Sequence, residues 1–240
     1  MITEELHTEF EEIFKAIIAP FFKSLKFRKK AHNFARTSND IVQTFTVQKN
    51  LMTTSIDKLY FSFDFGFFNN DIYNITRDND IAIDFPVTSD CFIQNPFGLY
   101  SHKRAHWYEL SSRIDPQKVA LSVKSDLDTY LKPLFSTYQS LEDLVRFTEI
   151  YEKNKLIVSP YEYIAFLMLS NQRVKGIQAI KDHYCRAMAI KVPNNTSQFP
   201  YKQNDAISSL SESKGEYLGK IHLLAKKYGV VLDAKEDNCR

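Results

Sequence analysis

Residues 59–68 read Leu-Tyr-Phe-Ser-Phe-Asp-Phe-Gly-Phe-Phe, so that Phe61, Phe63, Phe65 and Phe67 alternate with Ser62, Asp64 and Gly66. Successive side chains of a strand point to opposite sides, and a period of two therefore predicts a β-strand with one buried and one polar face. Segments 32–37 and 41–48 flank the turn-forming triplet Ser38, Asn39 and Asp40 and predict a β-hairpin. After a polar connection from Asn69 to Asp80, a fourth alternating run with Ile81, Ile83, Phe85 and Val87 on one side predicts another strand. Residues 88–113 then read mostly as loop. Four strands in succession predict an antiparallel meander with helices on its apolar face.

Helical spacing flanks these strands on both sides. Leu6, Phe10, Ile13, Phe14, Ile17, Phe21 and Leu25 form one apolar stripe, with a kink or a short second helix expected at Pro20. Asp115 and Pro116 open a helix through Val119, Val123, Leu127 and Leu131 that Pro133 should interrupt, and Ser140 caps the next. From Ser159 and Pro160 onward the pattern is helical, with Val174, Ile177, Ile180, Tyr184 and Met188 on one face and Gly229 as the final stop. The expected fold class is α+β, a four-stranded antiparallel meander packed against helices and followed by a helical C-terminal region. Residues 1–153 form the first domain in this reading and 154–240 the helical region.

Composition narrows the class of protein. The 240 residues are 44% hydrophobic and 25% charged, which excludes a disordered or fibrous chain. The 19 Phe and 13 Tyr fit either a ring-packed core or an aromatic ligand platform. Cys91, Cys185 and Cys239 show no C-x-x-C spacing, which argues for incidental thiols and against a disulfide framework or structural zinc. Met1 to Phe10 lacks the features of a secretory signal, and no apolar stretch approaches membrane-spanning length, so the expected location is cytoplasmic. A net charge of +2 implies neither a nucleic-acid nor a membrane partner by itself.

Four pieces of the chain stand in a recognisable order and spacing. They are residues 21–36 (FFKSLKFRKKAHNFAR), Val47-Gln48-Lys49, the Phe-Asp-Phe-Gly strand at 63–66, and Trp107-Tyr108-Glu109-Leu110. In these the chain resembles a bacterial family known only as domain-of-unknown-function family 4304, over roughly residues 4–150. It departs from the family in carrying Lys26 and Ala31 where glycine is usual. The resemblance implies an α+β fold and no established activity, and it supplies no catalytic residues. Some members of that family look like immunity or accessory proteins of toxin systems, which is an association and not a mechanism.

Candidate chemistry is sparse. His102 and His106, with Glu109 beyond, have metal-like spacing only on a helix; on a strand the two histidines would stand about 13 Å apart, so no metal or cofactor is expected. The run Lys23, Lys26, Arg28, Lys29, Lys30 and Arg36 is free of acids, and with Lys103, Arg104, Trp107 and Tyr108 it offers an anion- or base-binding patch. Over residues 57–90, Asp57, Asp64, Asp71, Asp78, Asp80, Asp84 and Asp90 against Lys58 and Arg77 leave a net charge of −5, which suits a basic protein partner. If strand 41–48 pairs beside 59–68, Thr44, Thr46 and Gln48 share the polar face of Asp64. No nucleophile–base pair, phosphate loop or hydrolase motif occurs, so no catalytic residue is assigned, and His183 reads as a helix-surface residue. The expected function is a non-enzymatic protein-binding module, immunity-like or accessory. Its expected binding residues are Thr44, Thr46, Gln48, Lys49, Ser62, Asp64, Asp78, Asp80, Arg104 and Trp107. Alternatives are nucleic-acid binding through the basic patches and, third, hydrolysis.

Overall fold

The computed structural model describes residues 4–50, 57–78, 80–101, 107–151, 159–189 and 214–232. They belong to two compact units, Met1–Ser159 and Pro160–Arg240.

In the first unit, strands β1 (Arg28–Lys30), β2 (Asn33–Ser38), β3 (Ile41–Asn50) and β4 (Lys58–Phe68) form an antiparallel meander. Two-residue turns join the first three, with Ala31 and Asn39 in left-handed conformation (φ 53° and 47°). Among the described residues the sheet has six strands, because β5 (Ile93–Pro96) and β6 (Tyr108–Ser111) both lie along the far edge of β4. β5 pairs with Asp64–Phe67 and β6 with Lys58–Phe61.

The fourth strand expected at 81–87 does not form. Helix α3 (Asn70–Arg77), capped by Asn69 accepting from the Ile72 N–H, occupies the expected polar connection, and its amide side chains engage the backbone beyond it. Asn74 Oδ1 accepts from the Ile81 N–H and Asn70 Oδ1 from the Ile83 N–H, so side chains supply the acceptors a neighbouring strand would have offered. Ile81 is left 53% exposed.

One face of the sheet is covered by helices. α1 (Glu4–Ile13) runs through a π-turn, Phe14–Ile18, into α2 (Ala19–Ser24). After the short α4 (Phe97–Tyr100), α5 (Pro116–Asp126) likewise runs through a π-turn, Leu127–Leu131, into α6 (Lys132–Thr137), and α7 (Leu141–Tyr151) comes next. Each π-turn lies just before a proline, Pro20 or Pro133. Proline cannot donate to the carbonyl four residues back and its ring crowds that carbonyl; one widened turn relieves both conflicts. The Ala19 and Lys132 N–H groups donate five residues back, to Phe14 and Leu127.

The buried odd-numbered face of β4, Phe61, Phe63, Phe65 and Phe67, meets rings from every side. Phe10 of α1 lies 5.2 Å from Phe61 between ring centroids, Phe22 of α2 lies 4.2 Å from Phe45 of β3, and Phe147 of α7 lies 5.6 Å from Phe67. Into this apolar layer the chain inserts a polar knot. Arg36 donates to Gln43 Oε1, to the Leu25 carbonyl at the end of α2 and to the Phe135 carbonyl in α6. Buried Gln43 donates in turn to the Phe135 and Tyr138 carbonyls. Two helix C-termini that would otherwise bury unpaired carbonyls are thereby tied to the sheet.

In the second unit, α8 (Pro160–Leu169), α9 (Arg173–Ala189) and α10 (Lys214–Tyr228) pack together. α10 ends on Gly229 (φ 67°), with the Val230 N–H donating to the Ala225 carbonyl. The buried face of α9 is Gly176, Ile180, Tyr184 and Ala187, whereas Val174 (83% exposed) and Met188 (47%) lie off the stripe expected for them. Gly176 sets the contact, since a β-carbon there would come within 2.5 Å of Met168 Sδ on α8. Cys91 is a buried thiol outside any disulfide, but Cys185 is disulfide-bonded, contrary to the reading of all three cysteines as thiols.

Candidate functional site

The other face of the sheet is polar. The register sets Thr44 against Gly66, Thr46 against Asp64 and Gln48 against Ser62, which brings these side chains to one surface. β6 adds Glu109 opposite Tyr60 and Ser111 opposite Lys58.

Half of this surface is closed by the chain itself. Segment 80–92 lies over it: Thr88 Oγ1 is 2.8 Å from Thr46 Oγ1 and 3.4 Å from that of Thr44, and Cys91 Sγ is 3.0 Å from Thr44 Oγ1. Thr46 also donates to Asn33 Oδ1 at 2.8 Å. The closure requires Gly66, because a β-carbon there would meet Cys91 Cβ and Sγ at 2.8 Å and the Ile93 carbonyl at 2.9 Å. Thr44 and Thr46 are therefore spent on holding the cover.

The remaining half carries exposed Gln48 and half-buried Tyr60, Ser62, Asp64 and Glu109. Lys58 Nζ pairs with Glu109 Oε1 at 2.8 Å, and the Tyr60 hydroxyl donates to Glu109 Oε2 at 3.0 Å. The hydrogen bond to Lys58 holds the Glu109 carboxyl below the usual range, and the bond to Glu109 raises Lys58. Asp64 is different. It accepts from Gln48 Nε2, and no cation faces it among the described residues. Burial pushes its carboxyl up to about 6.

The other expected binding residues lie elsewhere. Lys49 points to the opposite, apolar face, over the Phe10 ring and 3.9 Å from Glu11 Oε1, because it is one residue out of phase with Gln48. Asp78 ends α3 in left-handed conformation (φ 49°), and Asp78 and Asp80 are exposed without an ion pair among the described residues. Trp107, 40% exposed, precedes β6; continuing the β6 register by one residue sets it against Ser62. Arg104, with His102, Lys103 and His106, lies outside the described residues. Among the described residues no three His, Cys, Asp or Glu side chains converge on a metal position.

The basic run is dispersed. Arg36 is in the core knot, Arg28 Nη1 lies 3.3 Å from Asp84 Oδ1, and Lys29 lies over the Phe14 ring. The aspartates of 57–90 are also divided: Asp84 pairs with Arg28, Asp90 accepts from the Val87 N–H at 2.9 Å, and Asp71 stands in the first turn of α3. In the second unit His183 Nδ1 and the Tyr217 hydroxyl are 2.5 Å apart between α9 and α10, and burial lowers the imidazole. Among the described residues no helix is long and apolar enough to cross a membrane.

Sequence reasoning missed Tyr60 and Glu109 as neighbours on the polar face. The alternation of β4 carried Tyr60, but the pairing that brings Glu109 to it depends on a four-residue strand too short to show a period.

Comparison with curated proteins and with solved structures finds no match. The model of the family described as domain of unknown function DUF4304 matches residues 18–137, half of the 240-residue chain. Within that span Lys26 and Ala31, the positions where the resemblance carries glycine, both have positive φ, 64° and 53°. The backbone thus keeps the conformation that glycine serves even where its side chains have changed, and the chain belongs to the DUF4304 family.

Proposed function

We propose that the protein is a cytoplasmic, non-enzymatic protein-binding module, immunity-like or accessory, that docks its partner on the open half of the polar sheet face. One observation carries this reading. Asp64 holds a carboxylate half out of water with a single amide donor and no facing cation among the described residues, an arrangement that costs the free protein stability and that a partner's positive group would relieve. Exposed Asp71, Asp78 and Asp80 add a negative field that speeds encounter with a basic partner.

A photo-crosslinking side chain placed at Ser62, with a second at exposed Leu121 on α5 as control, tests the reading. The expected result in the native host is one protein captured from position 62 and not from 121, and lost in the Asp64→Asn background. Submicromolar binding of duplex DNA at near-physiological salt, lost when Lys26, Lys29 and Lys30 become Glu, would replace it with the nucleic-acid reading.

A further inference from the structure

We infer that the group the open face receives is an arginine side chain of the protein partner, anchored on Asp64. This deepens the docking reading and takes from it only that the partner is a protein; the chemistry comes from the face itself.

The open half is rich in acceptors and poor in donors. Gln48 turns one amide N–H toward Asp64, and Gln48 Oε1 and the second Asp64 oxygen remain as acceptors. The Ser62 hydroxyl, in the pair directly opposite Gln48, makes no hydrogen bond among the described residues. Among the described residues the cations on this face are engaged or distant. Lys58 is held by Glu109 and Tyr60, and Arg28 by Asp84. Lys30 is on β1, three strands from β4 and so about 14 Å away.

Two aromatic residues border these acceptors, Tyr60 one step along the face from Ser62 and Trp107 in the continued β6 register against it. A planar guanidinium suits this combination. Its fork of N–H donors fits a carboxylate and an adjacent amide oxygen, its face stacks on an indole, and its weak hydration makes it cheaper to bring to a half-buried acid than an ammonium. A divalent cation would need further carboxylates, and the nearest acid across β4, Glu109, is committed to Lys58.

The test is an NMR titration of the full-length 15N-labelled protein with capped arginine (N-acetyl, N-methylamide), and separately with capped citrulline, which keeps the shape and lacks the charge. Capped arginine is expected to shift the Thr46–Gln48 and Ser62–Asp64 amides and the Trp107 indole N–H, saturating with a Kd of about 1–10 mM, as suits so small a ligand. Citrulline, and arginine with the Asp64→Asn protein, should bind at least about tenfold more weakly, a difference of about 1.4 kcal/mol. The spectrum of Asp64→Asn itself shows whether the variant is folded, and Trp107→Ala, which leaves Asp64 intact, should weaken arginine several-fold. Equal shifts with citrulline, shifts unchanged in Asp64→Asn, or no shift with arginine would each overturn the inference. Arginine binding without any crosslinked protein would sink the docking reading alone. A protein crosslinked through Ser62 in a chain indifferent to capped arginine would sink this inference alone.

Discussion

The two faces of β4 are built on one backbone and obey opposite rules. On the odd face every side chain from Phe61 to Phe67 is buried against rings from three helices, and each contact lowers the free energy of folding. On the even face Asp64 is taken half out of water for one hydrogen bond, and Ser62 makes none among the described residues. The first face is explained by stability. The second departs from what stability alone would select, and such departures are where function is to be sought.

The contrast would be broken most directly by comparing neighbours on the strand. Phe63→Ala should cost about 3–5 kcal/mol in a denaturant series, through lost burial and a residual cavity, whereas Ser62→Ala should stay within about 0.5. Equal losses would mean that the two faces do not differ in kind.

The apolar face also holds polar groups, and the Arg36 knot among them sharpens the comparison. Arg36→Ala would strip donors from Gln43 and from the Leu25 and Phe135 carbonyls, leaving them buried and short of partners. The expected loss is about 2–4 kcal/mol. A thermal unfolding shift as small as that of a surface arginine would show that the knot holds nothing.

On the polar face the sign reverses. The Asp64 pKa of about 6 lies above its unfolded value, so on raising the pH the unfolded chain releases this proton first. The group costs nothing below about pH 4, and its penalty grows as pH rises to 6 and is complete above. Asp64→Asn should therefore stabilise the protein at pH 7.5 by about 1–2 kcal/mol, after allowance for solvent screening of a half-exposed group, and the advantage should vanish near pH 4. An advantage that does not change with pH would refute the assignment.

The smallest effects concern the turns that set both faces in register. Lys26→Gly and Ala31→Gly should each add about 0.5–1 kcal/mol, because φ is positive at both and a β-carbon there is strained. A neutral or destabilising result in equilibrium unfolding would mean that the surroundings have absorbed the strain.

Much of this was legible in the chain. The period of two in 59–68 predicts which face of β4 is buried, because burial of one face is what selects that pattern. Asp115, Ser140 and Gly229 mark helix ends for reasons confined to a few residues: a side-chain acceptor for free N–H groups, or a backbone free to turn left-handed. The equally regular run at 81–87 misled. Alternation records side-chain environment and not backbone partners, and here Asn70 and Asn74 took the N–H groups.

Sequence alone therefore determined the α+β class, the hairpin at Asn39, the buried phenylalanines and the ends of several helices, all set by local spacing and conformational preference. It also placed Thr44, Thr46, Gln48 and Asp64 on one face once pairing was assumed. Only the tertiary structure decided that Thr44 and Thr46 are covered through Gly66, that Lys49 faces the other way, that Arg36 belongs to the core, and that Asp64 is left without a facing cation among the described residues. These outcomes depend on contacts between residues far apart in the chain, and the free energy of a buried charge or hydroxyl is set by what folds against it.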